Sequence, residues 1–198
     1  MPTEWEGDDR RPPRAAAAGP SGSLIRAQDY VGAEGVPVVM PKDISDTGFI
    51  VDGIKRITES HAERLDRFRL NPGDVVIARR GDLGRCAVVG EEQQGWVCGT
   101  GCFVISPPGT VDSRYLAALL RSPGAREWLD SHSTGSLALR TVSLDVLGML
   151  LVSLPELDTQ RSIGEAMASF DAHERLLLDQ LATVRGIRSK ALSSFLAR

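Results

Sequence analysis

From Asp158 to Leu196 the chain contains no proline, and its apolar side chains follow a helical beat. Ile163, Met167, Phe170, Leu177, Leu181, Val184, Ala191 and Phe195 are separated mostly by steps of three, four and seven. That spacing is the seam of a coiled coil. Asp158 or Thr159 is placed to cap the start. Glu174 sits where an apolar residue belongs, and Gly186 costs about 1 kcal/mol relative to alanine in a helix interior. About 38 residues at ~1.5 Å each make a rod of roughly 57 Å, nearly twice the ~30 Å diameter of a small domain. The residues before it cannot cover such a rod. Its stripe of Ile163, Met167, Phe170, Leu177, Leu181 and Val184 is therefore expected to be a partner interface, against a second copy or another chain.

The remaining sequence bounds one domain. With 198 residues, 42% hydrophobic and 25% charged, the chain has the composition of a globular domain with an appendage. No apolar run approaches the ~18 residues that a membrane-spanning helix needs, so no membrane role is expected. Residues 1–22 combine an acidic start, Asp8-Asp9-Arg10-Arg11-Pro12-Pro13-Arg14, an alanine run and Gly19-Pro20-Ser21-Gly22. They read as a disordered or docking N-terminal tail.

Residues 23–157 mix strand and helix signals. Gly35-Val36-Pro37-Val38-Val39-Met40 reads as a buried strand ending at Pro41. Asn71-Pro72-Gly73-Asp74 is a strong turn leading into a β-branched strand, Val75-Val76-Ile77-Ala78. Cys86-Ala87-Val88-Val89 and Cys102-Phe103-Val104-Ile105 read as two more strands, and Met149-Leu150-Leu151-Val152 as another. Tyr115 to Leu120 reads as a short helix stopping at Pro123-Gly124, and Leu144 to Leu147 as a helical turn capped by Ser143. The expected fold class is α+β: a compact domain with a small curved, mostly antiparallel sheet and short helices, followed by the long coiled-coil-type helix.

Catalytic signals are weak. Ser106-Pro107-Pro108-Gly109 has neither the amide or carboxylate before its prolines nor the aromatic after them that an amino-methyltransferase needs. Gly81-Asp82-Leu83-Gly84 carries no P-loop lysine and joins two strands rather than a strand and a helix. His61, His132 and His173 stand in unrelated contexts with no serine nucleophile elbow. Cys86, Cys98 and Cys102 lie in or beside apolar strands without a matching set of metal ligands, so they are expected to be reduced and metal-free. Their odd number, with no secretory signal, points to the cytoplasm. The chain is thus expected to be non-enzymatic, with no cofactor.

Basic residues carry the more specific signal. Only Lys42, Lys55 and Lys190 are lysines; the other basic residues are arginines, and six of those fall between Arg64 and Arg85. An arginine fork suits phosphate and the major-groove edge of guanine. Arg79 and Arg80 end the Val75–Ala78 strand, and adjacent residues there point to opposite sides. The net charge of −3 excludes a globally basic DNA glove but not a local basic face.

Taken in order, several segments resemble the specificity (S) subunits of type I restriction–modification systems. Residues 37–44, PVVMPKDI, are similar to the opening of a target-recognition domain. Residues 70–89, LNPGDVVIARRGDLGRCAVV, resemble its strand, glycine-turn and strand core. Residues 133–136, STGS, and the run LPELDTQRSI at 154–163 resemble its closing loop and the entry to its long conserved-region helix. The resemblance spans residues 24–198. It implies a sequence-specific, non-catalytic reader of double-stranded DNA in a phage-defence complex, reading one half of a split site. It also implies docking on methyltransferase (M) subunits and an association with the restriction or motor (R) subunit. DNA contacts would come from Lys42, Arg79, Arg80 and Arg85, with Thr134, Ser136 and Arg140. A full S subunit has two recognition domains and two helical regions, about twice this length. The resemblance therefore implies a half-length form: a homodimer through the helix, a reader serving another defence enzyme, or a truncated relic. The acidic balance supports a different alternative, an assembly module of a defence complex that binds no DNA itself.

Overall fold

The computed structural model describes residues 16–136 and 140–196. In chain order the strands are β1 (Ala17–Ala18), β2 (Tyr30–Val31), β3 (Val36–Val39), β4 (Ile44–Ser45), β5 (Gly48–Phe49), β6 (Lys55–Ile57), β7 (Val75–Ala78), β8 (Cys86–Val88), β9 (Val97–Cys98) and β10 (Cys102–Ile105). The α-helices are α1 (Glu59–Arg64), α2 (Ser113–Arg121), α3 (Pro123–Ser131), α4 (Leu144–Gly148) and α5 (Leu157–Leu196). This is the expected α+β class. One sheet runs β1-β10-β7-β8, all antiparallel. A second runs β2-β6-β3-β9 and is antiparallel except where β3 meets β9, with Val38 opposite Val97. A small hairpin joins β4 to β5.

The β-branched run of β7 has a clear physical reason. Both of its faces are covered, so it reads as a continuous apolar stretch rather than an alternating one. Val75 and Ile77 face a cluster built with Phe103, Leu116, Leu120 and Leu129 beneath α2 and α3. Val76 faces the other way, into a cluster with Val39, Ile44, Trp96, Cys98 and Cys102 between the two sheets. β3 repeats the arrangement: Val39 joins that middle cluster, while Val38 packs with Ile25, Ile57, Leu65 and Val97 on the far side. The turn at residues 71–74 forms as expected. Gly73 adopts φ +90°, and the Asp74 carboxylate accepts from the Asn71 N–H at 2.9 Å and the Ser106 hydroxyl at 2.7 Å.

Four local expectations need correction. Pro123 does not simply stop a helix; it starts α3. Ser122 is extended, ends α2, and accepts from the Ala125 N–H at 3.3 Å. Proline at the first helical position loses no hydrogen bond. Residues 149–152 form no strand. Leu151 is 96% exposed, and the segment is held by the Leu150 side chain in the core and the Tyr115 hydroxyl, which donates to the Ser153 carbonyl at 2.8 Å. Apolar composition alone does not make a strand; a backbone partner does, and this segment has none among the described residues. The long helix begins one residue early, at Leu157, so Asp158 and Thr159 lie inside its first turn rather than capping it. Finally, residues 17–18, within the segment read as a tail, pair with Phe103 and Val104 of β10; residues 1–15 of that reading lie outside the described residues.

Candidate DNA interface and partner helix

Three backbone hydrogen bonds assemble the candidate interface at the far end of β7. The Arg79 N–H donates to the Gly101 carbonyl at 2.9 Å. The Val142 N–H donates to the Arg79 carbonyl at 3.1 Å, and the Gly81 N–H to the Arg140 carbonyl at 3.1 Å. Thr134 and Thr141 exchange two N–H to carbonyl bonds of 2.9 Å. The turn after β7 and residues 140–142, more than fifty residues apart in sequence, therefore lie side by side, with Thr134 paired to Thr141. Gly101 brings in the third segment. It adopts φ +91°, and a Cβ placed on it would lie 3.1 Å from Pro41 Cγ and 3.7 Å from Arg80 Cδ. The Pro41–Asp43 turn bearing Lys42 and the Arg80 stem thus flank one bare glycine.

The side chains are held in different ways. Arg79 is half-buried; its guanidinium carbon lies 5.4 Å from the centroid of the Phe103 ring, and its Nε is buried without a hydrogen-bond partner. Arg80 is exposed and makes no ion pair among the described residues. Arg85 Nε lies 2.6 Å from Asp82 Oδ2. Arg140 Nη1 lies 2.7 Å from Asp130 Oδ1. Lys42 Nζ lies 2.5 Å from Asp43 Oδ1, while the other Asp43 oxygen accepts from the Met40 N–H at 2.9 Å. Thr134 and Ser136 are exposed. Asp74, fully engaged in its own turn, is no partner for an arginine.

Sequence reasoning missed Arg126, whose Nη1 lies 3.9 Å from Asp82 Oδ1 and which also pairs with Asp46. It missed Trp128 and His132 as well, stacked 4.0 Å apart at the end of α3 beside the Arg140 loop. The Arg126 pairs have no sequence signal, because their partners meet only through tertiary packing, whereas Trp128 and His132 stand four residues apart at the end of one helix, a spacing the sequence does show.

The cysteines are all buried free thiols. Burial pushes the Cys86 thiol up to about 12, and its Sγ lies 3.4 Å from the Ala117 carbonyl. A hydrogen bond with Cys98, and then burial, raise the Cys102 thiol well above its ordinary range. Among the described residues, no three His, Cys, Asp or Glu side chains gather as a metal site, and no helix is long and apolar enough to cross a membrane.

The long helix divides into two parts. Its first turns dock on α2. Gln160, 2% exposed, accepts from the Asp112 N–H at 3.0 Å and donates to the Thr110 and Pro155 carbonyls at 3.2 and 2.8 Å. Gly164 allows the closest approach: a Cβ there would lie 2.6 Å from Asp112 Oδ1 and 2.9 Å from Tyr115 N. Arg175 donates to the Thr47 carbonyl and is the last helix residue with a hydrogen bond to the globular part among the described residues. Beyond it, Leu177, Leu181 and Val184 are exposed, as are Leu178, Ile187 and Leu192. Of the expected stripe, Ile163 and Phe170 are also exposed, and Met167 is half-buried.

Comparison with known proteins adds family and fold. Residues 21–183 match the family model described as the type I restriction modification DNA specificity domain. No curated protein matches the chain by sequence. Among solved structures, the HsdS subunit from Thermoanaerobacter tengcongensis is similar at 18% identity, TM-score 0.53, with 84% of this chain and 37% of that one covered. The type I restriction–modification S subunit from M. genitalium is similar at 13% identity, TM-score 0.57, covering 88% and 41%. A chain from a type I R-M complex, reported for its assembly and conformational transition, is similar at 16% identity, TM-score 0.56, covering 86% and 39%. The chain thus spans about two-fifths of the length of these structures.

Proposed function

Because the chain belongs to the family of type I restriction–modification DNA specificity domains, we propose that it is a sequence-specific DNA-binding subunit reading one half of a split site. Residues 23–157 act as the recognition unit, and residues 158–198 as the docking helix. Catalysis resides in partner methyltransferase and motor subunits. The observation that supports this reading is the meeting of three segments, the Pro41–Asp43 turn that carries Lys42, the turn after β7 that carries Arg80, and the strand-like pair Thr134 and Thr141 next to Arg140, at Gly101. Arg80 is the outward cation, suited to phosphate or to the guanine edge. Arg79 supports it from beneath, over Phe103. Arg85, Arg140 and Lys42 each bring a cation already balanced by a neighbouring carboxylate, which DNA phosphate would have to displace.

The helix supports self-pairing as the route to a second half-site. Residues 157–179 carry five carboxylates and two arginines; residues 180–196 carry Arg185, Arg188 and Lys190 and no carboxylate. Two copies laid antiparallel would set the basic, apolar end of each against the acidic stretch of the other. A parallel pair would set like charge on like. The same exposed apolar face is available to a methyltransferase subunit.

Duplex binding across a salt series tests the reading. Arg80→Ala is expected to weaken binding. If Arg80 meets a phosphate, the change lowers the salt slope by about one unit for all sequences. If it meets guanine, the change costs ~1–3 kcal/mol on the preferred site only. The second reading, an assembly module that binds no DNA, draws on the local pairing of Lys42, Arg85 and Arg140. It predicts no duplex binding even at low salt, with or without a methyltransferase subunit.

A further inference from the structure

A chain of alternating charges runs from the candidate DNA turn to the long helix. Arg85 pairs with Asp82 at 2.6 Å, and Asp82 lies 3.9 Å from Arg126. Arg126, on α3, pairs with Asp46 in the turn between β4 and β5, and its Nε donates to the Arg121 carbonyl at 3.1 Å. Arg121, at the end of α2, donates to the Asp46 carbonyl and pairs with Asp171 of α5 at 2.5 Å. Isolated surface ion pairs contribute little because water and salt screen them. The helix end of the chain is less open, with the Arg121 side chain 14% exposed and those of Arg126 and Asp171 each 26%, while Asp46 and Asp82 are exposed. The Arg126 stem also packs on Gly84, where a Cβ would lie 2.8 Å from its Cγ, in the glycine turn that presents Arg85.

We propose that Arg121 and Arg126 are positioning residues that tie the turn at residues 81–85 to α5, so that duplex binding and docking of α5 on its own domain are thermodynamically coupled. The proposal rests on the reading that this turn faces DNA. When phosphate draws Arg85 away from Asp82, that carboxylate is left to Arg126, and the balance along Asp46, Arg121 and Asp171 shifts with it. Linkage is reciprocal: whatever seats α5 more firmly, a partner subunit included, favours the DNA-competent turn to the same degree. Physical contiguity alone does not establish coupling, so the decisive test is energetic.

Asp171→Asn supplies it, because two mechanisms predict opposite signs. Removing an anion from the protein tightens DNA binding if only long-range Coulomb forces act. If the charge chain positions the turn, the same change weakens binding. The probe is a fluorescent mixed-sequence duplex titrated with the full chain at low and moderate salt. Asp171→Asn and Arg126→Ala are each expected to weaken binding about threefold to tenfold, and the double variant no more than the weaker single, since members of one network are non-additive. Asp171→Glu is expected to restore near wild-type affinity. Amide exchange at residues 81–85 of the free protein is expected to quicken in Asp171→Asn, with helix content and melting otherwise retained. If Arg80→Ala weakens binding while Asp171→Asn leaves it unchanged or tightens it, the coupling is refuted and the interface stands. If the two losses multiply in the double variant, the coupling is likewise refuted. If Arg80→Ala has no effect, the interface reading fails and the coupling with it.

Discussion

Gln160→Ala is expected to be one of the most destabilising polar-to-alanine changes in this protein. The side chain is 2% exposed and joins α5 to the segment before α2 through three hydrogen bonds. Truncation removes the acceptor of the Asp112 N–H and the donor to the Thr110 and Pro155 carbonyls. Those three groups border solvent, so water re-partners them in part, and a net loss of about 0.5–1 kcal/mol each is appropriate. Loss of the buried methylene packing adds roughly 1 kcal/mol. The expected cost is about 3 kcal/mol, which for a chain of this size lowers Tm by roughly 6–12 °C. Urea denaturation followed by circular dichroism measures it. Gln180→Ala, on the exposed part of the same helix, is the control and is expected to stay within about 0.5 kcal/mol of wild type. Gln160→Glu keeps an acceptor for Asp112 but faces a carboxylate toward two carbonyls, so it is expected to cost at least as much as alanine. A loss below about 1 kcal/mol for Gln160→Ala, with Gln180→Ala unchanged, would refute the view that this amide clamps the helix to the domain.

Other consequences are as direct. Gly164→Ala places a Cβ 2.6 Å from Asp112 Oδ1 and 2.9 Å from Tyr115 N; α5 must lift from α2, at a cost of about 1–3 kcal/mol by the same denaturation assay. Leu177→Asp with Leu181→Asp alters residues that are 52% and 45% exposed, so light scattering is expected to show loss of self-association, or pull-down the loss of methyltransferase docking, with the melting of the domain retained. The Cys86 thiol is raised from 9.0 to about 12 by burial. Its protonated form is therefore favoured in the folded protein, and stability is unaffected by this group below pH 9 and declines as pH rises from 9 toward 12. Cys86→Ala is expected to flatten that alkaline decline in unfolding curves taken between those limits.

The sequence by itself determined the parts that rest on local physics. Val36–Val39, Val75–Ala78 and Cys102–Ile105 are strands because β-branched and apolar residues run between turn residues. The turn at residues 71–74 follows from Pro72 and Gly73, and α4 from its Ser143 cap. The long helix is written in its spacing, and so is its excess length over any single domain. Family membership was legible too, because turn glycines, strand cores and the helix entry recur in a fixed order. Tertiary structure decided the rest. A run such as Met149 to Val152 carries a strand's composition, but whether a sheet edge lies beside it depends on distant segments. Pro123 reads as a stop until Ser122 is found to serve as the end of one helix and the cap of the next. The meeting of the segments that carry Lys42, Arg80 and Arg140 hangs on Gly101 and three backbone bonds that no local pattern encodes. Gln160 and the charge chain through Arg126 and Arg121 are invisible for the same reason. A single polar residue has no periodicity, and its role is fixed by what the folded chain brings within hydrogen-bonding distance.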